Sequence, residues 1–212
     1  VKKADALITV SEFSKQEIIK YYRCDPKKIH VIYNAWQHYS NIPIDTKVLD
    51  KFGLQEKKYY FALGSFDPNK NLKWILSVAK QHPESIFAIG GGINRNVFAK
   101  ENLCATENVE FLGYLSDTES KSLMHYCKAF LFPSFYEGFG IPPMEAMVAG
   151  ASEIIVSDIP VMHEIFGAAV GYLDPIDVTV PLIKQADFPQ SREQILQNFS
   201  WEQSAIHLKE LL

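Results

Sequence analysis

Two glutamates, Glu137 and Glu145, lie in the most unusual stretch of the sequence, FPSFYEGFGIPPMEAMVAG, which covers residues 132–150. Between them, Gly138 and Gly140 let the backbone approach a ligand closely, because glycine carries no Cβ atom. Carboxylates accept hydrogen bonds from hydroxyl groups, so two of them beside an open loop suit the recognition of a sugar. Glu137 is the stronger candidate, since an acid between an aromatic pair and Gly-Phe-Gly fills no helix-capping role.

The same stretch predicts a short helix that begins near Pro142 and ends at Gly150. Proline suits a loop or a first helical turn, and glycine suits the left-handed residue that follows a helix. Glu145 is then expected in the first turn, where an acid stabilises a helix by about 0.3–1 kcal/mol without any further function. The N-terminus of this helix is expected to offer free N–H groups and a partial positive charge, which suit a diphosphate.

The elements that position these residues follow from the rhythm of the chain. Short β-branched runs alternate with amphipathic stretches, which predicts an α/β fold with a doubly wound parallel sheet. Ligands of such sheets bind outside the carboxyl ends of the strands. The loops expected to matter begin near Gly64, Gly90, Gly113, Pro133 and Ser157. The three glycines that start at Gly90 leave two interpretations open, a close approach to phosphate groups or a simple turn.

A polar, proline-containing segment over residues 37–57 is the expected boundary between domains. It separates residues 1–36, the end of one domain, from a larger domain over residues 58–200. Residues 201–212, WEQSAIHLKELL, are predicted to form a C-terminal helix.

Other side chains receive structural interpretations. Ser116 and Glu119 are spaced as a capping box, which predicts the start of a helix. Trp74, Trp201 and the aromatic residues around Phe135 are expected to pack in the core, whereas Tyr136 could border a sugar.

The composition indicates a globular protein and excludes several classes. Apolar residues make up 47% and charged residues 22% of the 212 residues, an ordinary balance. A net charge of -4 provides no attraction for nucleic acid. No apolar run reaches the roughly 18 residues of a membrane span. The cysteines, Cys24, Cys104 and Cys127, show no metal-binding spacing, so we expect no metal site and a reducing, cytoplasmic compartment.

The stretch from Glu137 to Glu145, EGFGIPPME, resembles the Glu-x7-Glu signature of the retaining glycosyltransferases of family 4, which have the two-domain GT-B fold. The segments ADALITVSEFSKQEI and VIYNA are similar to the end of that family's acceptor domain. LGSFDPNKNL resembles its phosphate-contacting loop, and VEFLGYLSDTESKSLMHYCKAFLFPSFYEGFG resembles its donor core. The resemblance implies a Rossmann-like GT-B C-terminal domain over residues 58–200 and a remnant of the N-terminal, acceptor-side domain over residues 1–36.

The resemblance also implies roles for individual residues. Glu137 would hold hydroxyls of the transferred sugar and is the candidate catalytic residue, while Glu145 would hold the ribose hydroxyls of the nucleotide. Lys70 would neutralise the diphosphate, since a leaving nucleoside diphosphate needs a fixed cation and backbone donors. The implied donor-binding residues are Gly64, Lys70, Gly113, Tyr114, Glu137, Gly138, Phe139, Gly140 and Glu145.

The implied activity is that of a retaining hexosyltransferase, which moves a sugar from a nucleoside-diphosphate sugar to a glycan or lipid-linked acceptor in polysaccharide biosynthesis. It implies no metal and no cofactor besides the donor. Most of the acceptor domain is expected to precede Val1, so this chain alone is expected to be inactive. Peripheral association with the inner face of the cell membrane would come through that domain. The chain departs from the family at Ser65 and Asn69, where members commonly supply an arginine.

Three alternatives remain open. A retaining glycosidase would use Glu137 and Glu145 as acid and nucleophile, with carboxyl groups about 5–5.5 Å apart. A non-catalytic nucleotide-sugar-binding module would bind the same ligand without turnover. A sugar-nucleotide epimerase of the same fold is the third alternative.

Overall fold

The computed structural model describes residues 3–64, 67–92, 106–179 and 190–211. Ser65 and Cys104, which were named above, lie outside the described residues.

The main sheet contains six parallel strands, which are β3 (Tyr59–Leu63), β4 (Ile86–Gly90), β5 (Val109–Gly113), β6 (Ala129–Phe132), β7 (Ile154–Ser157) and β8 (Gly171–Leu173). Their order across the sheet is β5-β4-β3-β6-β7-β8. The order runs outward in both directions from β3 and β6, which confirms the doubly wound sheet expected from the sequence.

A second, smaller sheet precedes the main one. It pairs β1 (Leu7–Thr9) with β2 (Ile29–Val31) in parallel, and α1 (Glu12–Tyr22) connects them. The carboxylate of Glu164 accepts hydrogen bonds from the backbone N–H groups of Glu12, at 2.7 Å, and Phe13, at 2.8 Å. A side chain of the main α/β unit thus satisfies free donors at the start of α1 and holds the two units together.

The helices predicted after Ser116, before Gly150 and over residues 201–212 are present close to the expected positions. The described helices after α1 are α2 (Lys47–Phe52), α3 (Leu72–Gln81), α4 (Asp117–Tyr126), α5 (Ile141–Ala149), α6 (Pro160–Phe166), α7 (Arg192–Gln197) and α8 (Trp201–Leu211). The predicted capping box is present at α4, where Ser116 and Glu119 bond each other's backbone N–H groups. Gly150 ends α5 in the left-handed conformation, with φ of 73°.

Both faces of the main sheet are buried. On β3, Tyr59 and Phe61 belong to one core cluster. Tyr60 and Ala62 belong to the other. Buried aromatic and aliphatic side chains on both faces are typical of a parallel sheet covered by helices, and they make its strand ends a rigid base for loops.

The segment over residues 37–57 is not a plain polar connection, because it contains α2 and is anchored by a buried lysine. The Nζ atom of Lys121 donates to the carbonyl oxygens of Tyr39, Ser40 and Ile42 at 2.8, 3.0 and 2.8 Å. Burial lowers the pKa of Lys121, and the three carbonyls compensate its charge. The segment is therefore fixed on α4.

The expectation for the large aromatic residues is confirmed for Trp74 and, in the stretch around Phe135, for Phe132 and Phe139, all of which are buried. Trp201 and Phe135 are exposed, so their assignment to the core was wrong. Phe135 lies in the loop after β6, and Trp201 is the first residue of the surface helix α8. Both positions lie beyond the strands and helices that enclose the core.

Candidate functional site

The candidate site lies where the strand order reverses, between β3 and β6. Connections leave these two neighbouring strands in opposite directions, and this opens a crevice at their carboxyl ends. A pocket occurs at this point, and its lining includes Leu63 at the end of β3, Gly64 after it, Pro133 and Ser134 after β6, and Lys70. The sequence placed candidate residues on both loops, and the fold brings those loops together.

Lys70 and Glu137 form an ion pair at the mouth of this crevice. The Nζ of Lys70 lies 2.6 Å from Oε1 of Glu137, and the side chains are 28% and 14% exposed. Both groups are thus partly shielded, yet a ligand can reach them. A cation, which can bind a phosphate group, thus lies next to a carboxylate, which can accept hydrogen bonds from hydroxyl groups.

Asparagines on either side of Lys70 fix its loop. The side chain of Asn69 donates to the carbonyl oxygen of Tyr136 at 2.5 Å. The backbone carbonyl of Asn69 accepts from the N–H of Phe135 at 2.9 Å. The buried side chain of Asn71 donates to the carbonyl oxygen of Pro133 at 3.0 Å. These bonds join the loop after β3 to the loop after β6. Asn69, which departs from the family pattern, here serves to dock the lysine loop.

Glu145 lies in the second turn of α5, not in the first turn as expected. The helix begins at Ile141, one residue earlier than Pro142, and its first turn contains no acid. The stabilising effect of an acid near a helix N-terminus therefore does not account for Glu145. Its Oε1 atom lies 3.2 Å from Nε2 of His38, and the Glu145 side chain is 16% exposed. Burial raises the pKa of Glu145, while the hydrogen bond from His38 opposes this shift.

The N-terminus of α5 offers fewer donors than expected. Pro142 and Pro143 carry no N–H, and the N–H of Met144 is bonded to the carbonyl of Gly140. Backbone donors for an anion at this end must therefore come from the Gly138–Ile141 turn. Gly140 itself has φ of 96°, and a Cβ there would lie 2.9 Å from Met162 Cε, so the turn requires glycine.

Gly138 and Phe139 also contact elements far from them in sequence. The carbonyl of Gly138 accepts from the Ser14 hydroxyl at 3.3 Å. The Phe139 side chain is 3% exposed and packs in the core, so only its backbone is available to a ligand.

The remaining predicted residues, Gly64, Gly113 and Tyr114, lie at the ends of β3 and β5. The N–H of Gly64 donates to Gly90 O at 3.1 Å, and the N–H of Gly91 donates to Gly113 O at 2.7 Å. These bonds connect three strand ends through their backbones. Tyr114 is exposed beside them.

The described residues contain neither a cluster of metal-binding side chains nor a membrane-spanning helix. Within residues 3–64, 67–92, 106–179 and 190–211, no group of three or more His, Cys, Asp or Glu side chains could hold a metal ion. None of the helices in this part of the chain is long and apolar enough to cross a membrane.

Burial of Glu145 predicts a specific dependence of stability on pH. A carboxyl whose pKa is higher in the folded than in the unfolded protein binds more protons when folded, so its contribution to stability falls as pH rises through that range. In Glu145→Gln this contribution is absent. In urea titrations, the free energy of unfolding of the variant should therefore rise relative to that of the wild type as the pH is raised from about 4 to about 7. The exposed Glu107→Gln serves as control, and equal pH profiles for the Glu145 variant and the wild type would contradict the prediction.

Comparison with known proteins places these features in a family. The sequence pattern described as Glycosyl transferases group 1 matches residues 45–176, and that described as Glycosyltransferase Family 4 matches residues 1–36. O-antigen chain mannosyltransferase RfbU of Salmonella typhimurium is 34% identical over 183 residues, covering 84% of this chain and 49% of RfbU. O-antigen chain mannosyltransferase B of Escherichia coli is 28% identical over 187 residues, covering 82% and 49%. The chain thus spans about half the length of these curated relatives.

Solved structures share the fold at low identity. A glycosyltransferase of Rickettsia africae has a TM-score of 0.77 at 17% identity, covering 98% of this chain and 62% of the other. Anabaena HepE, solved in complex with UDP and glucose, has a TM-score of 0.77 at 16% identity, with the same coverage. The likeness extends over nearly all of the chain and corresponds to the GT-B type of α/β fold.

Proposed function

This chain belongs to the Glycosyl transferases group 1 family, and from this premise we propose that it binds a nucleoside-diphosphate sugar at the crevice between β3 and β6 and serves glycosyl transfer. The ion pair between Lys70 and Glu137 is the observation that carries the proposal. It sets a cation for the diphosphate next to a carboxylate for sugar hydroxyls. Both residues belong to loops that are bonded to each other, so the two loops are held together before a ligand arrives.

The proposed chemistry uses this arrangement to stabilise the leaving group. Departure of a nucleoside diphosphate develops negative charge on its phosphates, which Lys70 and the backbone N–H groups of the Gly138–Ile141 turn would offset. Glu137 would then exchange its bond with Lys70 for bonds with the sugar. As in the family 4 enzymes that the motif resembles, we propose retention of configuration without a metal, with the leaving phosphate assisting the acceptor.

The acceptor and the setting are also proposals. The relatives named above are mannosyltransferases of O-antigen chains, which supports a hexose donor, a glycan or lipid-linked acceptor and a role in polysaccharide biosynthesis. Cys24 and Cys127 are free thiols, which supports a reducing, cytoplasmic compartment. Residues 1–36 would belong to the acceptor-side domain, residues 37–57 to the linker and residues 58–200 to the donor domain.

The glycosidase alternative has weaker support. A retaining glycosidase needs its two carboxyl groups facing each other across one sugar ring. Here Glu137 is bonded to Lys70, and Glu145 is bonded to His38 of the linker segment. Different partners for the two acids suit two different parts of one ligand, a sugar and a nucleoside.

Calorimetric titration with UDP, GDP, ADP and their sugars tests this division between the acids. Glu145→Gln should weaken binding of the nucleoside diphosphate without its sugar by about 1.5–3 kcal/mol, the scale of a hydrogen bond to a charged group. Glu137→Gln should weaken binding of the intact donor only. It should leave the bare diphosphate equally or more tightly bound, because Lys70 loses its competing carboxylate.

Glu107→Gln is the matched control for the loss of one exposed negative charge, and melting temperatures near that of the wild type exclude misfolding. In a glycosidase neither acid would contact a nucleotide, so unchanged affinity of Glu145→Gln for the nucleoside diphosphate would refute the assignment. If the wild type binds none of the nucleotides, the donor-site proposal itself fails.

A further inference from the structure

His38 connects Glu145, the residue proposed to bind the nucleotide, with the C-terminal helix α8. It lies in a 3-10 turn, Gln37–Tyr39, within the segment that joins the two units. Its Nε2 atom lies 3.2 Å from Oε1 of Glu145, and its Nδ1 atom lies 3.2 Å from Nε1 of Trp201. One imidazole ring therefore touches helix α5 on one side and the start of α8 on the other.

The chemistry of the indole determines which way this hydrogen-bonded chain runs. The Nε1–H group of tryptophan is a donor and cannot accept a hydrogen bond. The Nδ1 atom of His38 must therefore be the acceptor. In the neutral ring the proton then resides on Nε2, which donates to the Glu145 carboxylate. Trp201 thus selects the tautomer in which His38 supplies a hydrogen-bond donor to Glu145.

Further bonds hold the ring in place. The side chain of Gln37 donates to the carbonyl oxygen of Phe199 at 3.0 Å and accepts from the N–H of Trp201 at 3.1 Å. These contacts pin the turn that carries His38 to the segment before α8. The His38 side chain is 42% exposed, so a ligand can approach the Glu145 carboxylate beside it.

We propose that His38 is a positioning residue for the nucleotide: in the tautomer fixed by Trp201, it holds Oε1 of Glu145 so that Oε2 faces a ribose diol. This inference rests on the proposed function, in which Glu145 contacts the ribose. Burial raises the pKa of the same carboxylate, His38 opposes this shift, and the charge of Asp117 raises the pKa to a smaller extent. Without this bond the carboxylate is free to turn away from the diol or to take up a proton.

The test measures discrimination between ribose and a sugar without the diol. The wild-type protein is titrated with UDP, GDP and ADP to find the base that it binds most tightly. Each variant is then titrated with that nucleoside diphosphate and with its 2′,3′-dideoxy counterpart. His38→Phe keeps a planar ring without the donor, and it should weaken ribonucleotide binding roughly tenfold, or about 1.4 kcal/mol. Binding of the dideoxy analogue should change little, so the ratio of the two affinities shrinks. His38→Gln, whose amide can replace the Nε2–H donor, should restore most of the ratio.

Two further variants make the result decisive. His82→Phe is the matched control, because His82 also faces a glutamate, Glu84, at 3.5 Å. It precedes β4 and so lies at the amino ends of the strands, on the side of the sheet away from the candidate site. Trp201→Phe removes the indole N–H and should lower the ratio even if His38→Phe fails to fold. Glu145→Gln is expected to lose the preference for the ribonucleotide over the dideoxy analogue. If it does so while the affinity ratio is unchanged in His38→Phe, or in Trp201→Phe where His38→Phe does not fold, the inference is overturned. An unchanged ratio in Glu145→Gln would overturn the ribose assignment of the proposed function, and this inference with it.

Discussion

Replacing Phe139 by alanine is expected to lower the free energy of unfolding by about 3–5 kcal/mol, the cost of emptying a buried aromatic site. The Phe139 ring is 3% exposed. It meets the ring of Phe199 edge-on, with centroids 5.3 Å apart, and that of Tyr33 at 6.4 Å. Tyr33 and Phe199 also contact each other at 5.4 Å. The three rings come from distant parts of the chain, since Tyr33 follows β2, Phe139 follows β6 and Phe199 precedes α8. The cavity would therefore loosen the contact between these three segments.

Urea unfolding measures this loss. Phe135→Ala in the same loop is the control, since its side chain is exposed and its removal should change stability by only about 0.5 kcal/mol. Phe139→Leu should keep the turn and nucleotide binding at a smaller cost, because only the backbone at this position is proposed to meet the ligand. A Phe139→Ala protein as stable as the Phe135 variant would show that the aromatic junction contributes little.

Local signals in the sequence were sufficient for much of the fold. The capping box at Ser116 and the left-handed Gly150 each act within a few residues, so their patterns predict the helix ends directly. The alternation of strands and helices predicted the doubly wound sheet, and the loops after Gly64 and Pro133 meet because parallel strands place their carboxyl ends at one edge.

Contacts between distant residues could not be predicted in the same way. Nothing near His38 in the sequence indicates that Trp201 will fix its tautomer or that Glu145 will be its partner. The short helix α2 was missed because its stability depends on packing against α4 more than on its own six residues. Glu145 was expected in the first turn of α5 but lies in the second, because the helix begins at Ile141, one residue earlier than expected.

The second large effect is expected for Gly91→Ala, which adds a methyl group where the backbone has no room for one. Gly91 has φ of 132°, a conformation that residues with side chains rarely adopt. A Cβ atom there would lie 1.9 Å from the carbonyl oxygen of Gly64. The clash is with backbone, which cannot swing aside like a flexible side chain. One of the two strand ends must move.

The expected cost combines two terms, backbone strain of about 1–3 kcal/mol and overpacking of about 1–3 kcal/mol. The neighbouring Gly92→Ala is a close control, because a Cβ at Gly92 would meet no atom of the described residues within 4 Å. The two substitutions add the same atom one residue apart, so the difference between their unfolding free energies reports the fit of Gly91 against Gly64. Displacement of Gly64 should also disturb the loop that leads to Lys70, and folded Gly91→Ala protein should bind a nucleoside diphosphate more weakly than the Gly92 variant. If both variants melt and bind alike, the close approach of the β3 and β4 ends is not needed for stability or for the site.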